Sequence, residues 1–136
     1  MKLRKTMLTA ATLAVTAASA LTITGTATAT TDPPGGSYDH VYTAEDHAAQ
    51  IYVQERNDVI KLCDIRANGK PAHMDVFVEG SSRNPVYTVD VKGGLGSCVT
   101  HSASQGKPYI LPKGRRVYLH FWGTAPDGTS VSFTSR

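Results

Sequence analysis

Arg116, Tyr118, His120 and Trp122 recur at every second position near the C-terminus. In an extended strand that spacing places all four on one face. Aromatic rings standing on one side of a sheet can stack on sugar rings or anchor a protein partner, while polar neighbours supply direction. Ser130, Ser132 and Thr134 alternate in the same way just downstream. If the two segments pair as a hairpin, these small hydroxyl side chains stand beside the rings and leave them uncovered. The competing expectation is that residues 38–50 fold across this face and bury the single tryptophan as core. The stripe is the expected binding surface.

Other constellations carry less chemistry. His73 and Asp75 share a strand face, and His101 and His120 could approach from elsewhere, but a zinc site needs three or four converging ligands. The expectation is surface histidines, no metal site and no cofactor. Ser97 sits in Gly94-Leu95-Gly96-Ser97-Cys98, which is not the Gly-x-Ser-x-Gly of a nucleophile elbow. Glu45, Asp46, Glu55, Asp58 and Asp64 supply carboxylates, yet turns use acids for local hydrogen bonds, and no two stand out as an acid and a base. Lys92-Gly93-Gly94-Leu95-Gly96 lacks the Gly-Lys-Ser/Thr ending and the following helix of a phosphate cradle. No catalytic residue is assigned, and the protein is expected not to be an enzyme.

The elements that must position the stripe follow from periodicity. Residues 30–37 contain a Pro-Pro pair and glycines and read as a linker. Residues 38–50 are ambiguous. Thr43-Ala44-Glu45-Asp46 resembles a helix N-cap with acids in the first turn, and an extended arm is the alternative. From Ile51 the period becomes two. Strands are expected over 51–54, 59–64, 72–79, 86–91, 115–122 and the final segment around Val131 and Phe133, with a further short one over 109–111. Asn68-Gly69 is the strongest short hairpin signal. Residues 92–112 otherwise read as an irregular loop. Cys63 shares its strand face with Val59 and Lys61, against Ile60 and Leu62, so either both faces are partly buried or a bulge shifts the register. The sum is an all-β domain, a small antiparallel sandwich or barrel of about six to seven strands.

The first residues bear on compartment. Lys2, Arg4 and Lys5 precede an uncharged, mildly apolar stretch over 7–23. Ala27-Thr28-Ala29 then offers a small-x-small cleavage site, with Ala18-Ser19-Ala20 as an earlier alternative. Residues 1–29 are thus read as a signal peptide, 30–49 as linker and N-terminal arm, and 50–136 as the secreted β domain. The signal holds three of the fourteen Lys and Arg residues and none of the eleven acids. The remainder is formally neutral, so the net charge of +3 gives no support to a nucleic-acid partner. No later run reaches the length of a membrane span. In an oxidising compartment the two cysteines, Cys63 and Cys98, are expected to form one disulfide.

The Ala/Thr-rich signal, the single cysteine pair and the run Val59-Ile60-Lys61-Leu62-Cys63-Asp64 together resemble small secreted proteins of unknown function from filamentous actinobacteria. That resemblance implies no activity. Secreted protease inhibitors of such bacteria are similar in size and compartment, but usually carry two disulfides where this chain has cysteines for one. The expected function is non-enzymatic binding of an extracellular polysaccharide or protein through Arg116, Tyr118, His120 and Trp122. The alternatives are an inhibitor-like protein presenting the 92–112 loop to an extracellular enzyme, and a small secreted hydrolase.

Overall fold

The computed structural model describes residues 37–136. The expected signal peptide, residues 1–29, and residues 30–36 of the expected linker lie outside them. Eight strands form two four-stranded antiparallel sheets, the arrangement of a β-sandwich. They are β1 (His40–Thr43), β2 (Ala49–Gln54), β3 (Val59–Asp64), β4 (Ala72–Val78), β5 (Tyr87–Val91), β6 (Cys98–His101), β7 (Arg116–Trp122) and β8 (Thr129–Thr134). The first sheet runs β1-β2-β3-β6 and the second β5-β4-β7-β8.

The period-two pattern explains the core. Ile51 and Val53 on β2, with Ile60 and Leu62 on β3, turn inward from the first sheet. Met74, Val76, Val89, Val117, Leu119, Phe121 and Phe133 turn inward from the second, and all belong to one continuous cluster. Removal of this apolar surface from water is the main force holding the sheets face to face.

The structure corrects several expectations. Residues 38–50 form no helix, and their extended part is laddered into the first sheet, not laid as an arm across the second. His40–Thr43 is an edge strand of the first sheet, paired with β2 from His40↔Val53 to Thr43↔Gln50. Asp46, which resembled a first-turn acid, instead organises the β1–β2 turn. Its carboxylate accepts the N–H of Ala48 at 2.9 Å and that of Gly123 at 3.0 Å. Burial opposes its charge, but the N–H groups of Gly123, Ala48 and Thr124 outweigh that and hold the carboxyl below its usual range. Gly123 must be glycine here, because a Cβ would lie 2.5 Å from that of Ala48.

Asn68-Gly69 is a turn but not a hairpin, since β3 and β4 belong to different sheets. Asn68 Nδ2 donates to the Gly123 carbonyl at 2.8 Å, and its Oδ1 accepts the Lys70 N–H at 2.9 Å. The residue staples the inter-sheet crossing to the end of β7, so local turn chemistry is satisfied by a long-range partner.

No strand forms over 109–111. Leu111 is buried, and its N–H is taken by the carboxylate of buried Asp58 at 3.1 Å instead of a ladder partner. The same carboxylate accepts Lys113 Nζ at 2.7 Å and Ser135 Oγ at 3.0 Å, fastening three distant segments.

The 92–112 region is not one loop, because it contains β6. That strand pairs with β3 and sets Cys63 directly opposite Cys98, with Cα atoms 4.1 Å apart and the disulfide formed. The register of β3 is continuous from Val59 to Asp64, so there is no bulge. Both faces of the strand are covered: Lys61 and Cys63 on the outer side are buried, with the Lys61 ammonium 5.2 Å from the Tyr52 ring centre.

Candidate functional site

The outer face of the second sheet carries the predicted stripe. On β7 the inward residues Val117, Leu119 and Phe121 are fully buried, while Arg116 and Tyr118 are exposed and His120 and Trp122 half-buried. The expected hairpin with β8 is present, with Tyr118 opposite Ser132 and His120 opposite Ser130. Residues 38–50 do not cover this face, because β1 lies in the other sheet.

The face is wider than the stripe. β4 flanks β7 on its other side and contributes His73 opposite Trp122, Asp75 opposite His120, and Phe77 opposite Tyr118. β5 adds Asp90 opposite His73 and Thr88 opposite Asp75. Two transverse rows result. Asp90, His73 and Trp122 form one, and Phe77, Tyr118 and Ser132 another, with Asp75 and His120 between them. The alternation of His73, Asp75 and Phe77 is visible in the sequence; their adjacency to the stripe depends on a strand pairing across about forty to fifty residues.

The four predicted residues have different roles. Trp122 sits between two imidazoles: the His73 ring centre is 4.3 Å away at 36°, and that of His120 is 5.2 Å away at 53°. Tyr118 is 41% exposed and offers its ring beside Phe77. His120 is already bonded at both nitrogens. Nε2 donates to the Pro126 carbonyl at 3.1 Å, and Nδ1 is hydrogen-bonded with the Ser130 hydroxyl at 2.9 Å. Its ring is a fixed wall. Arg116 stands at the far end of β7, roughly 20 Å of strand from Trp122 at about 3.3 Å per residue, so the two cannot grip one small group.

His73 is the electrostatic centre of the face. Nδ1 donates to Asp90 at 2.6 Å and Nε2 to Asp75 at 3.1 Å. Only the imidazolium can donate from both nitrogens. Partial burial disfavours the charge, but the hydrogen bonds and charges of Asp90 and Asp75 outweigh it and raise the pKa above the ordinary histidine value. Because the folded-state value is raised, the stabilisation is complete below the unfolded value of about 6.5 and is lost as pH rises through the folded value. An NMR titration of the ring should give a midpoint above that of a free histidine, and Asp90→Asn should lower it. A midpoint at or below the free value would contradict the two-carboxylate bridge.

His73 bridges two carboxylates and His120 a carbonyl and a hydroxyl, so both rings are engaged at both nitrogens. His101 lies on β6 in the other sheet, stacked on Tyr109 at 4.0 Å, and does not join His73 or His120. Among the described residues no three His, Cys, Asp or Glu side chains are grouped to hold a metal ion, and no helix is long and apolar enough to cross a membrane. Ser97 is a turn residue whose carbonyl accepts the Asp64 N–H at 2.9 Å. Set against protein-family models, curated proteins and solved structures, the chain matches none.

Proposed function

We propose that this is an exported, non-enzymatic binding protein that holds a polysaccharide on the outer face of the β5-β4-β7-β8 sheet. The observation that carries the reading is that Phe77, Tyr118 and Trp122 stand on one outer sheet face, Phe77 opposite Tyr118 and Trp122 packed on the His73 and His120 rings, bordered by Asp75, Asp90 and the β8 hydroxyls. Apolar ring faces of sugars stack on such aromatics, and carboxylates and hydroxyls accept and donate to sugar hydroxyls at the edges. Tyr118 and Trp122 are separated by four residues, roughly 13 Å along the strand, which suits a chain of several sugar units better than a monosaccharide. The disulfide and the sequence of residues 1–29 support an extracellular setting.

The test is sedimentation of the mature protein with insoluble chitin, cellulose and bacterial cell-wall material. Saturable pelleting with one polymer, released by its soluble fragments, is the expected result. Absence of pelleting with all three would reject the proposal.

A second reading rests on Leu95, which is 61% exposed in the 92–97 loop. The loop is braced by the disulfide at Cys98 and by the Gly96 N–H donating to the Asp64 carbonyl at 2.8 Å. A rigid loop holding an apolar side chain outward is a form that enters a protease pocket. Inhibition of a secreted protease that disappears in Leu95→Gly would favour this reading; no inhibition across a broad panel would remove it.

A further inference from the structure

A separate cavity of about 550 Å³ lies at one end of the sandwich, between the β4–β5 connection and the 107–115 segment. Its apolar part comprises buried Val78 and Leu111, half-buried Val86, and Pro108, Ile110 and Pro112. Ile110 is 50% exposed and stands with exposed Pro108 and Pro112, so the rim of the cavity is apolar as well as its floor. The wall is held firmly, because the Asp58 carboxylate fixes Leu111 and Lys113 from beneath. Size and lining match those of small-molecule pockets.

Charge at the cavity is unbalanced. Lys107, Arg115 and Glu79 are its charged lining residues, two cations against one carboxylate. Among the described residues neither the Arg115 guanidinium nor the Lys107 ammonium makes an ion pair. Glu79 is turned toward the backbone, its carboxylate accepting the Arg116 N–H at 3.4 Å. Arg115 Nη1 lies 3.6 Å from where a Cβ on Gly80 would stand, so it reaches back over the β4–β5 turn. An apolar interior beside unpaired cations calls for an apolar body with an anionic end, since burying an unmatched neutral or cationic head there gains nothing.

We propose that this cavity binds an amphipathic carboxylate, a medium-chain fatty acid, with its alkyl chain against Val78, Val86, Ile110 and Leu111 and its carboxylate at Arg115 and Lys107. The site is independent of the aromatic sheet face.

The experiment is calorimetric titration of the mature protein with decanoate, decanol and decylammonium, each below its micelle concentration. Saturable one-site binding of decanoate, about tenfold or more tighter than either analogue, is expected. The double variant Arg115→Gln/Lys107→Gln should lose about that factor with its melting temperature unchanged, and Ile110→Asp should weaken binding without altering the sheet face. Trp122→Ala should bind decanoate as the parent does. Absent decanoate binding, equal binding of decanol or decylammonium, a double variant that binds normally, or loss of binding in Trp122→Ala would each overturn the proposal. A peptide ending in a free leucine carboxylate that binds more tightly than decanoate would overturn the fatty-acid assignment in favour of a protein C-terminus.

Discussion

Trp122→Ala is expected to weaken polysaccharide binding on the order of thirtyfold or more, the loss of about 2 kcal/mol that marks a central aromatic anchor. The melting temperature should change little. Trp122 stands on the outer side of β7 and packs on the His73 and His120 rings, while the core on the opposite side of the strand is built from Val117, Leu119 and Phe121. Removing the indole therefore opens the face without opening a core cavity. Tyr118→Ala should give a smaller loss, because its ring is more exposed and less tightly framed. The chain has one tryptophan, so soluble fragments of the bound polymer should also shift the intrinsic fluorescence of the unmodified protein. A Trp122→Ala protein that pelleted as well as the parent would sink the sheet-face proposal whatever the polymer.

Removal of the Cys63–Cys98 disulfide should have the largest effect on stability. The bond spans a sequence separation of 35. Closing a loop of that size restricts the unfolded chain by roughly 4 kcal/mol in the chain-entropy description, a large share of the roughly 5–15 kcal/mol net stability of a small domain. The effect is concentrated on one element. β6 is only four residues long, and its strand partner is β3 alone. In the Cys63→Ala/Cys98→Ala variant, or after reduction, the melting temperature should fall by roughly 16–32 °C, given about 4–8 °C per kcal/mol for a domain of this size. Denaturant midpoints with and without reductant measure the same quantity. A loss below about 1 kcal/mol would mean that burial and ladder bonds hold β6 without the cross-link.

The candidate site was partly legible. Arg116, Tyr118, His120 and Trp122 share a face because side chains alternate along any strand, and the short Pro126-Asp127-Gly128 turn leaves β8 little choice but to return beside β7. His73 and Asp75 were legible as sharing a strand face, but neither they nor Phe77 and Asp90 were legible as members of the site. Their place depends on β4 pairing with β7, and no local signal encodes a pairing at that separation.

The errors have the same origin. Asn68-Gly69 specifies a turn, but whether the next strand returns to the same sheet depends on what Asn68 can bond, here the carbonyl at Gly123. Thr43-Ala44-Glu45-Asp46 has the composition of a helix start, and a helix lost because Asp46 finds the Ala48 and Gly123 N–H groups across a hairpin. Cys98 sits in a glycine- and serine-rich stretch with weak strand character, and the bond to Cys63 and the β3 ladder hold it as a strand.

By itself, then, the sequence determined the strand periodicity, the inward and outward sets, the cysteine pair and the aromatic stripe. All of these follow from alternation and local chemistry, which act over a few residues. Tertiary structure alone decided that β1 completes the first sheet, that β4 widens the stripe into a face, that His73 is clamped between two carboxylates, and that Arg115 and Lys107 stand unpaired at an apolar cavity. Those outcomes come from burying both inner faces at once, a condition on the whole chain that no short window contains.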